Sequence, residues 1–188
     1  KGSMDIFSHR TNIDIHNRFV VYDIRNIGIG TKELGLYICL DNIFNKTIMN
    51  FYKGKRTWFY ADEFHVIMQK QSSADYVAQI WKRFRKWNGV PCAITQNVED
   101  MLKNESARTV INNSNFLILL GQSPLNRRQL SDLLSISEEE QKYIDRDKPG
   151  MGLLRIGDDV IPFIDDFPKD TKLYRLMTTK PSERIIAK

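Results

Sequence analysis

No apolar run in this chain approaches the roughly 20 residues a helix needs to cross a bilayer, and its start has no signal-peptide hydrophobic segment. The expectation is a cytoplasmic or cytoplasm-facing protein. Cysteine is scarce, with Cys39 and Cys92 alone and no CxxC spacing, which argues against a zinc knuckle and a disulfide framework alike. Both are expected as reduced core residues, Cys39 in a helix and Cys92 in a buried strand. His65 has no second His or Cys at ligand spacing, and a protein-built metal site needs three or four such groups; it reads as a helix-start histidine. His9 and His16 belong to a polar stretch of Asn and Asp neighbours.

A further absence matters more. Cradling a triphosphate takes a Gly-rich loop between strand and helix with a Lys and a Ser or Thr, GxxxxGK[ST], and none occurs. Gly54-Lys55-Arg56-Thr57 comes nearest, but Met49 stands at the first Gly position, Arg56 replaces the hydroxyl, and a strand follows. Gly28-Ile29-Gly30-Thr31-Lys32 follows an expected strand, yet has Thr and Lys in the wrong order.

What is present suits one globular domain: 188 residues, 41% hydrophobic and 27% charged, enough chain to bury a sizeable core. A net charge of +5 permits contact with nucleic acid or an anionic membrane face without demanding it. Lys1-Gly2-Ser3-Met4 reads as a cloning scar or an excised junction, so the chain is expected to be a fragment. Residues 1–18 form a polar arm or linker, 19–167 an α/β domain, and 168–188 a mixed basic tail with a weak helical register at Leu173, Leu176 and Met177.

Within 19–167 strands and helices alternate, the pattern of a mostly parallel sheet with flanking helices. The expected strands are 19–24, the run ending at Asp62-Glu63, 90–95 and 116–120. The helices are 32–52, one capped by Ser72 or Ser73 and closed by Gly89, 98–112, and 124–144. Residues 150–164 read as an antiparallel hairpin about a Gly-Asp-Asp turn, and Pro162, lacking an N–H, suits its edge.

The chemistry gathers at two strand ends. Trp58-Phe59-Tyr60-Ala61 runs into Asp62-Glu63, the Walker B pattern, in which the Asp organises Mg²⁺ through water and the Glu polarises the attacking water at a γ-phosphate. The bland alternative is that both acids cap the next helix. Pro91-Cys92-Ala93-Ile94-Thr95 likewise stops at Gln96-Asn97, so Gln96 could stand beside Glu63, ligands collecting at the carboxyl ends of strands; otherwise it is a turn residue. Val77, Ile80, Trp81, Phe84 and Trp87 recur at helical spacing and read as core. Lys82, Arg83, Arg85 and Lys86 face outward as a candidate contact for DNA or a partner subunit. Glu138-Glu139-Glu140 after Ser137 read as acids at a helix start.

In order, Asp62-Glu63-Phe64-His65, Thr95-Gln96-Asn97-Val98-Glu99-Asp100 and Asn113-Ser114-Asn115 followed by residues 116–122 resemble a type IV secretion or conjugation ATPase. The likeness is to the C-terminal half of the motor subunit that is the fourth VirB component, of the conjugative-transposon kind, over about residues 7–164. It implies a RecA-like P-loop NTPase sheet whose Walker A portion precedes this region, with ATP and Mg²⁺ bound in the full-length protein and not tightly by this chain. It further implies Asp62 as the Mg²⁺-side acid, Glu63 as the catalytic carboxylate and Gln96 as the γ-phosphate sensor. Arg128, or Arg127, becomes an arginine finger reaching a neighbouring subunit, the alternative being a solvated helix face. The implied assembly is a hexamer working with other secretion and coupling proteins, peripheral at the cytoplasmic side of the membrane and touching its inner face only indirectly. Two further readings stay open: a non-enzymatic RecA-like adaptor for nucleic acid or secretion subunits, and a metal-dependent nuclease, which needs further acids at the same strand ends.

Overall fold

The computed structural model describes residues 9, 17–24, 26–28, 30–96, 98–145 and 150–183. Most of the expected polar arm, His16 included, lies outside them. The chain divides into two units, Lys1–Asn113 and Ser114–Lys188.

The first unit is built on helix α1 (Lys32–Tyr52), at the expected bounds, followed by strand β1 (Thr57–Ala61). Short α2 (Phe64–Met68) leads into α3 (Gln71–Phe84), and β2 (Gly89–Ala93) pairs with β1 in parallel, Trp58 opposite Val90 and Tyr60 opposite Cys92. Alternation along β1 sends Phe59 and Ala61 into a core shared with Leu40, Phe44, Phe64, Val77, Trp81 and Phe84. It leaves Trp58 and Tyr60 stacked on the other face, 57% and 60% exposed. That core explains the helix pattern: positions 77, 80, 81 and 84 form one stripe of α3, all buried.

Several boundaries differ from expectation, each for a local reason. Residues 19–24 form no strand; no strand among the described residues pairs with them, and Phe19 and Val21 stand 81% and 72% exposed. Gly28 and Gly30 therefore follow irregular chain and lead into α1. Neither Ser72 nor Ser73 caps α3. Lys70 holds the N-cap position without a side-chain bond, Ser72 Oγ donates to Glu33 Oε1 at 2.7 Å, and Ser73 turns its hydroxyl back on Ile67 O at 2.5 Å. The stop after α3 is Asn88, not Gly89. Trp87 sits in a 3-10 turn (Arg85–Trp87) ending at Asn88 in the left-handed region (φ 52°), which Asn tolerates better than most residues. Gly89 serves a different need, since a Cβ there would collide with the Phe84 ring and meet Thr47 Cγ2 at 2.9 Å.

The expected helix 98–112 is two helices, α4 (Val98–Lys103) and α5 (Glu105–Asn112). Between them Asn104 takes an extended conformation, accepts the Ala107 N–H at 3.1 Å and donates through Nδ2 to Met68 O at 3.1 Å. A short amide side chain that bonds the backbone in this way competes with helix continuation.

In the second unit β3 (Phe116–Leu119) is antiparallel to β4 (Met151–Ile156), which is antiparallel to β5 (Asp159–Ile164). The described strands thus form a parallel pair and a separate antiparallel sheet, where one mostly parallel sheet was expected. The hairpin turns through Gly157 (φ 62°) and Asp158, and Pro162 lies on edge strand β5, as the sequence suggests. The expected helix 124–144 breaks at Ser135, which is left-handed (φ 56°). It yields α6 (Pro124–Leu134), α7 (Glu138–Gln141) and a 3-10 turn (Lys142–Ile144). Ser137 and Glu140 form a reciprocal capping box; its hydrogen bonds hold the Glu140 carboxyl below the usual range, so the acids here are accounted for by the helix start. Helix α8 (Lys172–Met177) falls on the expected register.

Both cysteines are unpaired and half-buried, less enclosed than expected, and burial pushes both thiols up. No helix among the described residues is long and apolar enough to cross a membrane.

Candidate functional site

The carboxyl ends of β1 and β2 are tied together beyond their last ladder residues. Ile94 N–H donates to Ala61 O at 2.9 Å, and Phe64 N–H donates to Ile94 O at 2.9 Å. Phe64 is fully buried, its ring 5.4 Å from that of Trp81. The chain leaving β1 is therefore pinned on both sides of Asp62-Glu63, and the two acids must turn within two residues.

That turn places Glu63 in the left-handed region, φ 47° and ψ 46°. A non-glycine residue there costs roughly 1–2 kcal/mol, and such positions concentrate where geometry serves function. Asp62 is exposed, and its Oδ1 accepts the Glu63 N–H at 2.9 Å. Glu63 occupies the N-cap position of α2, but its side chain makes no capping bond. Capping thus does not account for these acids; Asp62 braces the backbone of Glu63 instead.

The Glu63 side chain turns toward β2. Gln96 Nε2 donates to Glu63 Oε1 at 2.7 Å, so the structure brings together the two residues singled out at separate strand ends. On the other oxygen, His65 Nδ1 lies 3.4 Å from Oε2, and Thr95 Oγ1 lies 3.3 Å from the same ring nitrogen. His65 is at the start of α2, as expected, yet its position relative to Glu63 went unread. The spacing in Asp62-Glu63-Phe64-His65 shows only an apolar residue between two polar ones; that Phe64 is buried and β2 lies alongside is decided by the fold.

Among the described residues no group of three His, Cys, Asp or Glu side chains gathers to hold a metal. One exposed carboxylate does suit Mg²⁺ in a nucleotide site, where substrate phosphates and waters supply most ligands. The residues present fit the metal-and-water half of such a site and not its phosphate half: Gly54 and Thr57 flank a turn entering a strand.

Arg127 and Arg128 lie in the second unit, on α6. Arg127 shares the face of Leu130, Ser131 and Leu134, all buried, and pairs with Asp145 at 3.2 Å. Arg128 points to solvent, with no ion pair among the described residues. Lys82, Arg83, Arg85 and Lys86 are all exposed; Arg83 lies over the Phe44 ring at 4.9 Å and Lys86 over Trp87 at 5.4 Å. Half of this basic face is thus laid on aromatic surface of its own fold.

A family model, the TraG P-loop domain, matches residues 4–147. Among solved structures the chain is similar to VirB4 of Thermoanaerobacter pseudethanolicus, with a TM-score of 0.60 and 25% identity over 73% of this chain and 37% of that one. The chain therefore spans little more than a third of that relative's length. No curated protein matches. Both likenesses agree with the expected mixed α/β fold of the P-loop kind.

Proposed function

The chain belongs to the TraG P-loop domain family, within the type IV secretion and conjugation ATPases, and on that premise we propose that it is the Walker B portion of an ATP-hydrolysing motor for conjugative DNA transfer or type IV secretion. The phosphate loop comes from sequence preceding it in the intact protein, which works as a hexamer at the cytoplasmic face of the membrane. The supporting observation is the 2.7 Å hydrogen bond between Gln96 and Glu63, which joins the ends of two adjacent parallel strands where such folds place their ligands.

In this reading Asp62 would hold Mg²⁺, which would neutralise charge on the phosphates, and ATP, as substrate, supplies the phosphoryl group and its leaving group. Glu63 orients the attacking water and takes its proton; a carboxylate offers about four acceptor sites, so both oxygens keep lone pairs after Gln96 and His65 are engaged. Gln96, donating to that carboxylate, couples its orientation to the end of β2 and reports the γ-phosphate. Arg128 is the arginine finger; Arg127 is committed to Asp145. Contact with DNA or partner subunits falls to Lys82, Arg83, Arg85 and Lys86.

The test is Glu63→Gln in the intact protein. Loss of a general base lowers turnover by about 100-fold or more, and both hydrolysis and transfer are expected to collapse while circular dichroism and expression stay unchanged. Retained transfer would overturn the catalytic assignment and leave the adaptor as the better reading.

A further inference from the structure

The Glu63 carboxylate is approached from two sides, and only one approach belongs to the motif reading above. Gln96 meets Oε1 at 2.7 Å; His65 Nδ1 stands 3.4 Å from Oε2. We propose that His65 is a positioning residue for the Glu63 carboxylate, holding it from the side opposite Gln96 so that its free lone pairs face the reacting water. The inference rests on Glu63 being the catalytic base.

Three observations carry it. First, Nδ1 lies 3.4 Å from Oε2, and because a carboxylate can only accept, the support requires the Nδ1–H tautomer. Second, His65 is itself held. Its side chain is only 18% exposed against 45% for Glu63, the preceding Phe64 and Ile67 two positions on are buried, and the Thr95 hydroxyl lies 3.3 Å from Nδ1, where it accepts a share of the same N–H. Third, Thr95 and Gln96 are consecutive. One two-residue segment at the end of β2 thus reaches the same carboxylate by two routes, directly through the Gln96 amide and indirectly through the His65 ring. A shift of that segment changes both supports together, which makes the pair a means of coupling the end of β2 to the orientation of Glu63.

The experiment compares His65→Asn with His65→Leu in the intact ATPase. The Asn amide nitrogen falls close to the place of Nδ1 and still donates; Leu keeps apolar volume and cannot. Misplacing a reacting group by about 1 Å costs up to roughly 100-fold in rate, so His65→Leu is expected to lose 10- to 100-fold in kcat with KM for ATP unchanged, while His65→Asn keeps most of the turnover. A wild-type kcat for His65→Leu, or equal losses in both variants, would overturn the proposal. Should His65→Leu fold poorly, His65→Ala replaces it, with thermal unfolding recorded for each. Glu63→Gln run alongside separates the two readings. Activity in Glu63→Gln removes the catalytic base and this inference with it, whereas an inactive Glu63→Gln beside a fully active His65→Leu removes only the role of His65.

Discussion

Glu63 holds an uncommon backbone for a charged residue, and the forces that keep it there are small individually. Its N–H is taken by Asp62, its carbonyl accepts Val66 N–H at 2.9 Å, and its carboxylate meets Gln96 and His65. Glycine suffers no steric penalty in this region, so Glu63→Gly relieves about 1 kcal/mol of strain. The contacts it deletes are half-exposed and worth a few tenths of a kcal/mol, about what surface polar pairs provide. The expected outcome is a thermal midpoint equal to or above that of the parent chain, with hydrolysis abolished in the intact protein. A clear drop in the midpoint would show that the carboxylate contacts stabilise the turn more than its backbone strains it. The arginines make a related point at this scale. Arg127 and Arg128 are indistinguishable as neighbours in sequence; the stripe formed with Leu130 and Leu134 turns one inward to Asp145 and the other outward.

Among the elements, α4 and α5 show how one side chain redirects the chain. Apolar periodicity runs through residues 98–112 without a break, so the sequence reads as one helix. Asn104 stops it by serving two masters, capping Ala107 and bonding Met68 O at the end of α2. Replacing a capping Asn with Ala costs about 1 kcal/mol, and leaving the buried-side Met68 carbonyl without its donor adds about as much again. Asn104→Ala should therefore lower stability by about 2 kcal/mol in denaturant unfolding of the chain. An unchanged midpoint would mean that the two helices merge without cost.

For the whole molecule, the exposed sheet surfaces decide behaviour. Parallel strands are ordinarily covered on both faces, yet Trp58, Tyr60 and Ile94 remain exposed in the first unit. Phe116 and Ile118 are each 66% exposed in the second. Among the described residues, β1 and β2 pair only with one another, and β3 only with β4. Open edges and apolar faces of this kind invite association. The isolated chain is expected to self-associate as its concentration rises in sedimentation velocity, and ATP with Mg²⁺ should leave its thermal midpoint unmoved. A 22.0 kDa monomer at every concentration, or a clear rise in midpoint with nucleotide, would contradict this reading of an incomplete sheet.

By itself the sequence determined which residues end strands and which stripe of each helix is apolar. Those properties follow from local periodicity, and they were sufficient to place Asp62, Glu63 and Gln96 at strand ends, to locate the hairpin and its edge proline, and to mark the family. The tertiary structure alone decided what depends on partners distant along the chain. Residues 19–24 have strand composition but find no strand to pair with among the described residues. Asn104 ends a helix because Met68 O lies within its reach. Glu63 adopts a left-handed backbone because the bond from Phe64 N–H to Ile94 O pins the turn. His65 meets the carboxylate for the same reason: its neighbour is buried and β2 lies alongside, and neither condition can be read from four letters in a row.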